Sequence, residues 1–248
     1  MSDAEDSQTQ NSGSVVGAQK SAKEQQRKGV ALSIVAGVVD AYGVITYHTY
    51  LSFMSGNTTQ TGYRIGQGDF AAALPSAIAI VFFVGGSFAG TFLAHSAARR
   101  PNRLIFGSVA ALLALIIGFR QFGFLSDGVH IAVVSFAMGV MNLALTRVGK
   151  QRVSLTFVTG TLRSLAEHLA LAIMHAPLTD GQGSWDTHRR RAALLASIWS
   201  GFLAGLILSG AATPHFGAWI LLLPVVMLRR WQRLTAMQGK PPDASIRA

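Results

Sequence analysis

The chain has 248 residues, of which 50% are hydrophobic and only 13% are charged. A soluble domain carries about 25% charged residues, so this composition predicts an integral membrane protein. The formal net charge of +10 does not indicate nucleic-acid binding, because the basic residues stand at the ends of apolar segments, as topology signals do. With no cysteine in the chain, a disulfide framework, a thiol nucleophile and a cysteine-ligated metal are excluded.

A polar N-terminal segment and six apolar segments make up most of the chain. Residues 1–29 contain no Phe, Trp, Leu or Ile, which predicts a disordered cytoplasmic tail. The uncharged runs that follow have the length needed to cross about 30 Å of hydrocarbon. They predict an all-α integral membrane protein with six transmembrane helices, near residues 30–50, 71–94, 104–122, 129–147, 193–212 and 215–229. Residues 230–248 form a predicted cytoplasmic C-terminal tail.

The distribution of Lys and Arg predicts how these helices are oriented. With six helices, all but two of the 21 Lys and Arg residues fall on one side, and the exceptions are Arg64 and Arg120. Because basic residues are retained on the cytoplasmic side, both termini are predicted to lie in the cytoplasm. Adding or removing one helix would destroy this alternation, so the charges also support six helices.

A two-part motif occurs twice along the chain. Residues 37–41 read GVVDA and residues 139–143 read GVMNL, while residues 53–58 read FMSGNT and residues 157–162 read FVTGTL. A gap of two residues aligns both parts. The duplication predicts two structurally related halves, an organisation typical of membrane transporters.

Three predicted helices in each half require the halves to be inverted. The first repeat spans 30–122 and the second spans 129–229, and because three is odd, the two must insert in opposite orientations. Each second helix also carries a small-xxx-small pair, which allows close helix packing. We predict that these pairs are helix-packing positions: Gly86, Gly90, Gly201 and Gly205.

Asp40 and Asn142 occupy equivalent positions of the two repeats. Asp40 lies about ten residues into the first predicted helix, where an ionised carboxylate costs at least a few kcal/mol. One interpretation is a polar pair that lines a central path, with Asp40 binding a cation or a proton. The other is that Asp40 is protonated or bonded to a neighbouring helix and serves packing.

A glycine flanked by small hydroxyl residues follows Asp40, and again follows Asn142. Such a segment can expose backbone groups to a ligand, and irregular backbone at membrane depth is tolerated where it lines a wet cavity. The alternative is two ordinary helix caps, since Ser, Thr, Asn and Gly favour caps. The predicted substrate-path residues are Asp40, Ser55, Gly56, Asn57, Thr58, Asn142, Thr159, Gly160 and Thr161.

An amphipathic helix is predicted at 160–175, because apolar residues recur there at helical spacing. Its polar face carries Arg163, Glu167 and His168, which fits a helix on the cytoplasmic membrane surface or a catalytic cluster. The seven histidines are dispersed without a metal-binding spacing. We therefore predict no metal site, no cofactor and no enzymatic activity.

The two-part motif resembles that of the YoaK-type family of bacterial inner-membrane proteins, a family named as a domain of unknown function. The residues that carry the resemblance are 36–41 and 53–58 in the first half and 139–142 and 157–162 in the second. It covers roughly residues 30–230. The resemblance implies a six-helix, multi-pass protein of the bacterial inner membrane and brings no substrate with it.

Together these features predict a transporter or channel-like protein for a small solute or ion, with its path at the interface of the two inverted repeats. The alternative is a non-transporting membrane assembly or sensory protein. The expected partners are the lipid bilayer and an unidentified small solute or ion, with no nucleic acid and with a homo-oligomer as an option. Nothing in the sequence resembles an ATP-driven motor.

Overall fold

The computed structural model describes residues 2–96, 101–121, 123, 126–143, 147–148, 151–152, 158–181 and 183–237. These residues form helices and one antiparallel pair of two-residue strands. The helices are α1 (Ser2–Tyr47), α2 (Met54–Gly66), α3 (Phe70–Ser96), α4 (Pro101–Gln121), α5 (Asp127–Asn142), α6 (Val158–Ile173), α7 (His188–Phe216), a 3-10 helix (Gly217–Leu221) and α8 (Leu222–Met237). The strands are β1 (Arg147–Val148) and β2 (Gln151–Arg152). The predicted helical class is confirmed.

Within the described residues, four helical segments are long and apolar enough to cross a membrane: Ser21–Tyr47, Phe70–His95, Asn102–Arg120 and His188–Leu234, while Asp127–Asn142 is a shorter apolar helix. The last of the four contains 47 residues, which as one helix would be about 70 Å long, more than twice the hydrocarbon thickness. It is interrupted at Gly217, whose φ of 52° is left-handed, so α7 and α8 are separate helices. These helices have the length and composition of membrane spans, whereas six crossings remain a prediction.

The N-terminal segment differs from its sequence prediction. Residues 2–29, predicted to be disordered, form the first part of α1. The segment has no proline, and thirteen of its 28 residues are Ala, Gln, Glu or Lys, which are good helix formers. Extending an existing helix avoids the cost of nucleating a new one, so α1 continues outward from its apolar part. At the other terminus, residues 230–237 belong to α8, and residues 238–248 lie outside the described residues.

Helices α1 and α7 are parallel and closely packed. A Cβ atom on Gly201 would lie 3.1 Å from the Val30 carbonyl oxygen, and one on Gly205 would clash with the Ile34 carbonyl oxygen. The second contact is four residues further along both helices, so the two chains advance in the same direction. Gly37 of α1 faces α7 with an equally close approach. Only glycine allows backbones to come this near.

Helices α3 and α5 are packed in the same way. A Cβ atom on Gly86 would clash with the Phe136 carbonyl oxygen, and one on Gly90 would lie 3.1 Å from the Cα of Val140. Again both contacts move four residues along each helix, which makes the pair parallel. Gly139 of α5 faces α3 as closely as Gly37 faces α7.

The two helix pairs correspond residue by residue. Ile34 and Phe136 are separated by the same 102 positions as the repeated motifs, and their carbonyl oxygens face Gly205 and Gly86 respectively. By its contacts, Gly86 is therefore the counterpart of Gly205. The order of the two small-xxx-small pairs would instead match Gly86 with Gly201, which is one helical turn away. Each pair joins a helix from the first half of the chain to one from the second.

Contacts at the helix ends fix the remaining directions. Lys28 Nζ lies 5.0 Å from the Phe106 ring centroid near the start of α4, and Arg120 Nη1 near its end donates to Tyr47 Oη at 3.2 Å, so α1 and α4 are parallel. The Tyr47 and His130 rings stack with centroids 6.3 Å apart, so α5 starts where α1 finishes. The end near Tyr47 is called the α2 end, and the end near Lys28 is called the α6 end.

Helices α2, α6 and α8 complete this arrangement. The Thr61 hydroxyl of α2 and the Ser76 hydroxyl near the start of α3 are 2.7 Å apart. The Nδ1 atoms of His168 in α6 and His188, the first residue of α7, are 2.9 Å apart. Near the end of α8, Gln232 lies against Gly107 of α4. Helices α2 and α6 thus lie at opposite ends of the bundle, and α8 runs from the α2 end to the α6 end.

Candidate functional site

Asp40 lies fully buried on α1, where its carboxylate binds the loop at residues 48–53. Its Oδ1 accepts hydrogen bonds from the backbone N–H groups of Leu51 at 2.9 Å and Ser52 at 2.6 Å. Its Oδ2 accepts one from the Ser52 hydroxyl at 2.7 Å. Hydrogen bonds of this kind offset the cost of burying a carboxylate. Asp40 thus fixes the loop at residues 48–53 through three hydrogen bonds.

The end of α1 shows why the loop turns back onto the helix. His48, the residue after α1, adopts a left-handed backbone with φ of 54°, which ends the helix at Tyr47. The chain then passes close to Gly43, where a Cβ atom would lie 2.6 Å from both the Leu51 Cγ and the Thr49 carbonyl oxygen. A larger residue at position 43 would keep the loop away from Asp40.

Helix α2 holds the same loop from the other side. Asn57 is fully buried; its Oδ1 accepts from the Tyr50 N–H at 3.1 Å and its Nδ2 donates to the Tyr50 carbonyl oxygen at 2.7 Å. Gln60 Nε2 donates to the His48 carbonyl oxygen at 2.9 Å. Asp40 and Asn57 therefore bind the same loop. Asp40 accepts from the N–H groups of Leu51 and Ser52, whereas Asn57 pairs with the backbone of Tyr50.

The Ser/Thr-Gly segments form the first turns of two helices, α2 and α6. In α2, Ser55 and Thr58 are exposed, and Thr58 Oγ1 donates to the Met54 carbonyl oxygen at 2.8 Å. Gly56 lies beside the Phe53 ring, at 2.7 Å from the ring to a Cβ placed there. The backbone of the Ser/Thr-Gly segments is thus that of ordinary helix starts. It is not the irregular backbone of a broken helix.

Among the equivalent residues of the second half, Asn142 differs most from its first-half counterpart. Asn142, the last residue of α5, has a buried Oδ1 without a hydrogen-bond partner. Thr159 is exposed and Gly160 is half-buried, whereas Thr161 is buried. Among the described residues, Thr161 is the one buried position of α6 and Asn57 is the one buried position of α2, and the two are separated by the same 104 residues as Gly56 and Gly160.

The predicted path residues form two groups. Asp40 and Asn57 bind the loop at 48–53, whereas Asn142 is the last residue of α5 and lies further towards the α6 end. In the part of the chain that the structure describes, no hydrogen bond joins either first-half residue to Asn142 or Thr159. The contacts therefore do not bring all the predicted path residues together in one cluster.

A further pair of buried hydroxyls was missed by the sequence analysis. Ser33 and Ser135 are fully buried, each lies seven residues before Asp40 or Asn142, and the two are 102 positions apart, as the motifs are. Ser33 Oγ donates to the Val30 carbonyl oxygen at 2.8 Å, whereas Ser135 Oγ has no hydrogen-bond partner. Extending the repeat alignment by one turn before each glycine would have identified them.

Seven-residue spacing places Ser33 and Asp40 on one face of α1, and Ser135 and Asn142 on one face of α5. At about 1.5 Å per residue, Asp40 lies about 10 Å below Tyr47, and Ser135 about 8 Å below His130, whose ring stacks on Tyr47. Asp40 and Ser135 therefore lie at nearly the same depth. By the same count, Ser33 and Asn142 share a level nearer the α6 end.

The α6 end carries a cluster of charged and titratable side chains. Arg191 forms ion pairs with Asp180 and Asp186, each with an N–O distance of 2.9 Å. Burial, together with His188 and Arg191 nearby, lowers the pKa of His168. Its Nδ1 lies 2.9 Å from the Nδ1 of His188, so one of the two nitrogens donates this hydrogen bond and the other accepts it.

No group of three or more His, Asp or Glu side chains able to hold a metal ion occurs among the described residues. The Arg163, Glu167 and His168 positions suggested a catalytic cluster as one alternative. In the structure His168 contacts His188, while Arg163 and Glu167 are exposed.

Comparison with known proteins agrees with the resemblance drawn from the motifs. A family model described as a protein of unknown function (DUF1275) matches residues 29–229. The UPF0700 transmembrane protein RA0705 of Rhizobium meliloti is 29% identical over 215 residues, covering 82% of this chain and 87% of that protein. The UPF0700 transmembrane protein YoaK of Bacillus subtilis is 27% identical over 206 residues, covering 79% and 88%. No solved structure matches the chain.

Proposed function

The chain belongs to the DUF1275 family, and the two relatives named above are described as transmembrane proteins. From that premise we propose that the chain is a transporter or channel-like protein for a small solute or ion. The path lies between the α1–α7 and α3–α5 helix pairs, at the interface of two inverted three-helix repeats. The repeats comprise α1 to α4 and α5 to α8, with α2 and α6 as the short helices of each.

The orientations of the helices support the inverted repeat. Helices α1, α4 and α7 run from the α6 end to the α2 end, and α3, α5 and α8 run the other way, as six alternating crossings require. The α1–α7 and α3–α5 pairs use the same glycine contacts at matching positions. Helices α2 and α6 lie at opposite ends. A half-turn about an axis in the membrane plane relates all of these features.

Three buried polar atoms on α5 have no hydrogen-bond partner, His130 Nε2, Ser135 Oγ and Asn142 Oδ1, and the proposal rests on Ser135 and Asn142. In a membrane interior a polar atom without a partner costs free energy, so such atoms are expected to be satisfied by water, an ion or a solute. Ser135 and Asn142 lie on the same face of α5, at positions equivalent to Ser33 and Asp40 of α1. A wet path between the two helix pairs would satisfy them.

Thiol accessibility tests the proposal without knowledge of the substrate, because the chain has no native cysteine. Ser135→Cys and Asn142→Cys variants in proteoliposomes should react with a small hydrophilic methanethiosulfonate reagent. Ala137→Cys is the matched control, since Ala137 is fully buried and apolar on the same helix, and should not react. If the thiols introduced at positions 135 and 142 are as unreactive as the control, there is no wet path.

The alternative is a non-transporting membrane assembly protein, and one observation favours it. Asp40 and Asn57, two of the predicted path residues, are bonded to the loop at 48–53 rather than directed at a vacant space. Unreactive thiols at positions 135 and 142, combined with an intact fold, would make this alternative the better description.

A further inference from the structure

A cavity of about 930 Å³ opens between α1, α4 and α8 at the α6 end of the bundle. Helix α1 contributes residues between Ser21 and Ile34, α4 contributes Asn102, and α8 contributes residues between Met227 and Leu234. This volume is within the range of ligand-binding cavities, about 300–1,000 Å³. The cavity is far from the Asp40 loop, which lies at the other end of α1.

The lining of the cavity changes from charged to apolar along α1. At its outer part lie Arg27 and Lys28, joined by Arg230 from α8, and Glu24 is the only acidic residue of the described lining. Three positive charges against one negative charge leave an excess of two. At its inner part lie Val30, Ala31 and Ile34, opposite Met227. The cavity thus offers positive charge beside an apolar wall.

The position of this boundary matches the surface of a bilayer. From Lys28 to Tyr47 α1 rises about 28 Å, which is close to the thickness of the hydrocarbon core. If Tyr47 lies at one boundary, Lys28 lies at the other, and Ile34 lies about 9 Å inside it. Trp231 also lines the cavity, and Trp is enriched at the headgroup level of membranes.

We propose that this cavity binds an anionic phospholipid. The lipid phosphate is held by Arg27, Lys28 and Arg230, and the upper parts of its acyl chains lie along Val30, Ile34 and Met227. A free phosphate would leave the apolar wall uncovered, and a zwitterionic lipid would bring its own positive charge against three cations. Basic cavities between transmembrane helices at the cytoplasmic side are suited to such headgroups.

The test is lipid selectivity of the purified full-length chain, measured by native mass spectrometry with phosphatidylglycerol and phosphatidylcholine in equal amounts. The unmodified chain should retain phosphatidylglycerol preferentially. An Arg27→Gln/Arg230→Gln variant should bind it about thirtyfold more weakly, since each of the two basic contacts near a membrane surface contributes about 1 kcal/mol. Both arginines are exposed, so the variant is expected to fold.

The matched control is an Arg163→Gln/Arg189→Gln variant, because both residues are exposed and neither lines the cavity. It should keep the selectivity of the unmodified chain; an equal loss would mean that surface charge alone attracts the lipid, and would overturn the proposal. Equal retention of the two lipids by the unmodified chain would also overturn it. A third arm adds glycerol phosphate, and displacement of the lipid by this headgroup at equal concentration would show a free-anion site instead.

Discussion

At the scale of single residues, Asp40 and Asn142 show how a duplicated position can take two roles. Asp40 accepts three hydrogen bonds from its own loop, whereas the Oδ1 of Asn142 accepts none. A carboxylate has only acceptor oxygens, and these match the N–H and hydroxyl donors of Leu51 and Ser52. Asn142 is the last residue of α5, whereas Asp40 lies seven residues before the end of α1, beside the loop that it binds.

Substituting Asp40 tests whether it holds the loop. Asp40→Ala leaves the donors of Leu51 and Ser52 buried without acceptors, which should lower the free energy of unfolding by about 2 kcal/mol or more. Asp40→Asn keeps an acceptor oxygen and should retain most of the stability, so a loss of flux in this variant alone would report the missing charge. Thermal unfolding of the purified protein measures the difference. Equal melting temperatures for the Ala variant and the parent would contradict the loop-holding role.

The repeat in the sequence could identify these polar residues, because apolar surroundings make them conspicuous. It could not show their partners. The bonds of Asp40 reach residues eleven and twelve positions later, and they exist because Gly43 admits the loop and His48 turns it. Neither the glycine at position 43 nor the histidine at position 48 is marked by the hydrophobic periodicity of the sequence. The orphaned Oγ of Ser135 was also beyond reach, since an unpartnered atom is a property of the packed structure.

At the scale of helices, packing depends on glycines placed where two backbones cross. Gly86 meets the Phe136 carbonyl oxygen on α5, and Gly205 meets the Ile34 carbonyl oxygen on α1. Hydropathy could predict these long helices, since their apolar runs match the membrane thickness. It could not predict α2, which is short and polar, nor which glycine of each pair sits at the crossing, which depends on the angle between helices.

Alanine substitutions at the crossings should separate close packing from helix propensity. Gly86→Ala and Gly205→Ala place a methyl group against a backbone oxygen and should destabilise the protein by about 1–3 kcal/mol. Gly85→Ala and Gly210→Ala are the matched controls, because a Cβ at 85 meets only the Phe136 ring at 3.9 Å and one at 210 meets nothing within 4 Å. The melting temperatures of all four variants give the comparison. Equal effects at crossing and control positions would exclude close backbone contact.

At the scale of the whole molecule, the two ends of the bundle differ in charge. At the α2 end the two basic residues are each paired with an aspartate, Arg64 with Asp69 at 3.5 Å and Arg120 with Asp127 at 2.7 Å. The other basic residues of the described chain lie towards the α6 end. The positive-inside rule therefore predicts that the α6 end lies in the cytoplasm, and with it both termini.

Cysteine labelling in intact cells tests this orientation. Gln67 is exposed in the turn between α2 and α3 at the α2 end, and Ser184 is exposed in the loop before α7 at the α6 end. A Gln67→Cys variant should react with an impermeant maleimide in intact cells, and a Ser184→Cys variant should react only after lysis. The reverse pattern would invert the topology, and labelling of both before lysis would refute a single orientation.

Helices of the first half pack on helices of the second half, and this has a consequence for biosynthesis. Gly37 of α1 packs on α7, and Gly86 of α3 packs on α5, so neither glycine face has its partner when the ribosome has completed only α4. The early helices must wait in the lipid as independent segments until the later ones are inserted. Folding of this chain is consequently an assembly step after synthesis, and the first half cannot reach its final structure before the last helices have left the ribosome.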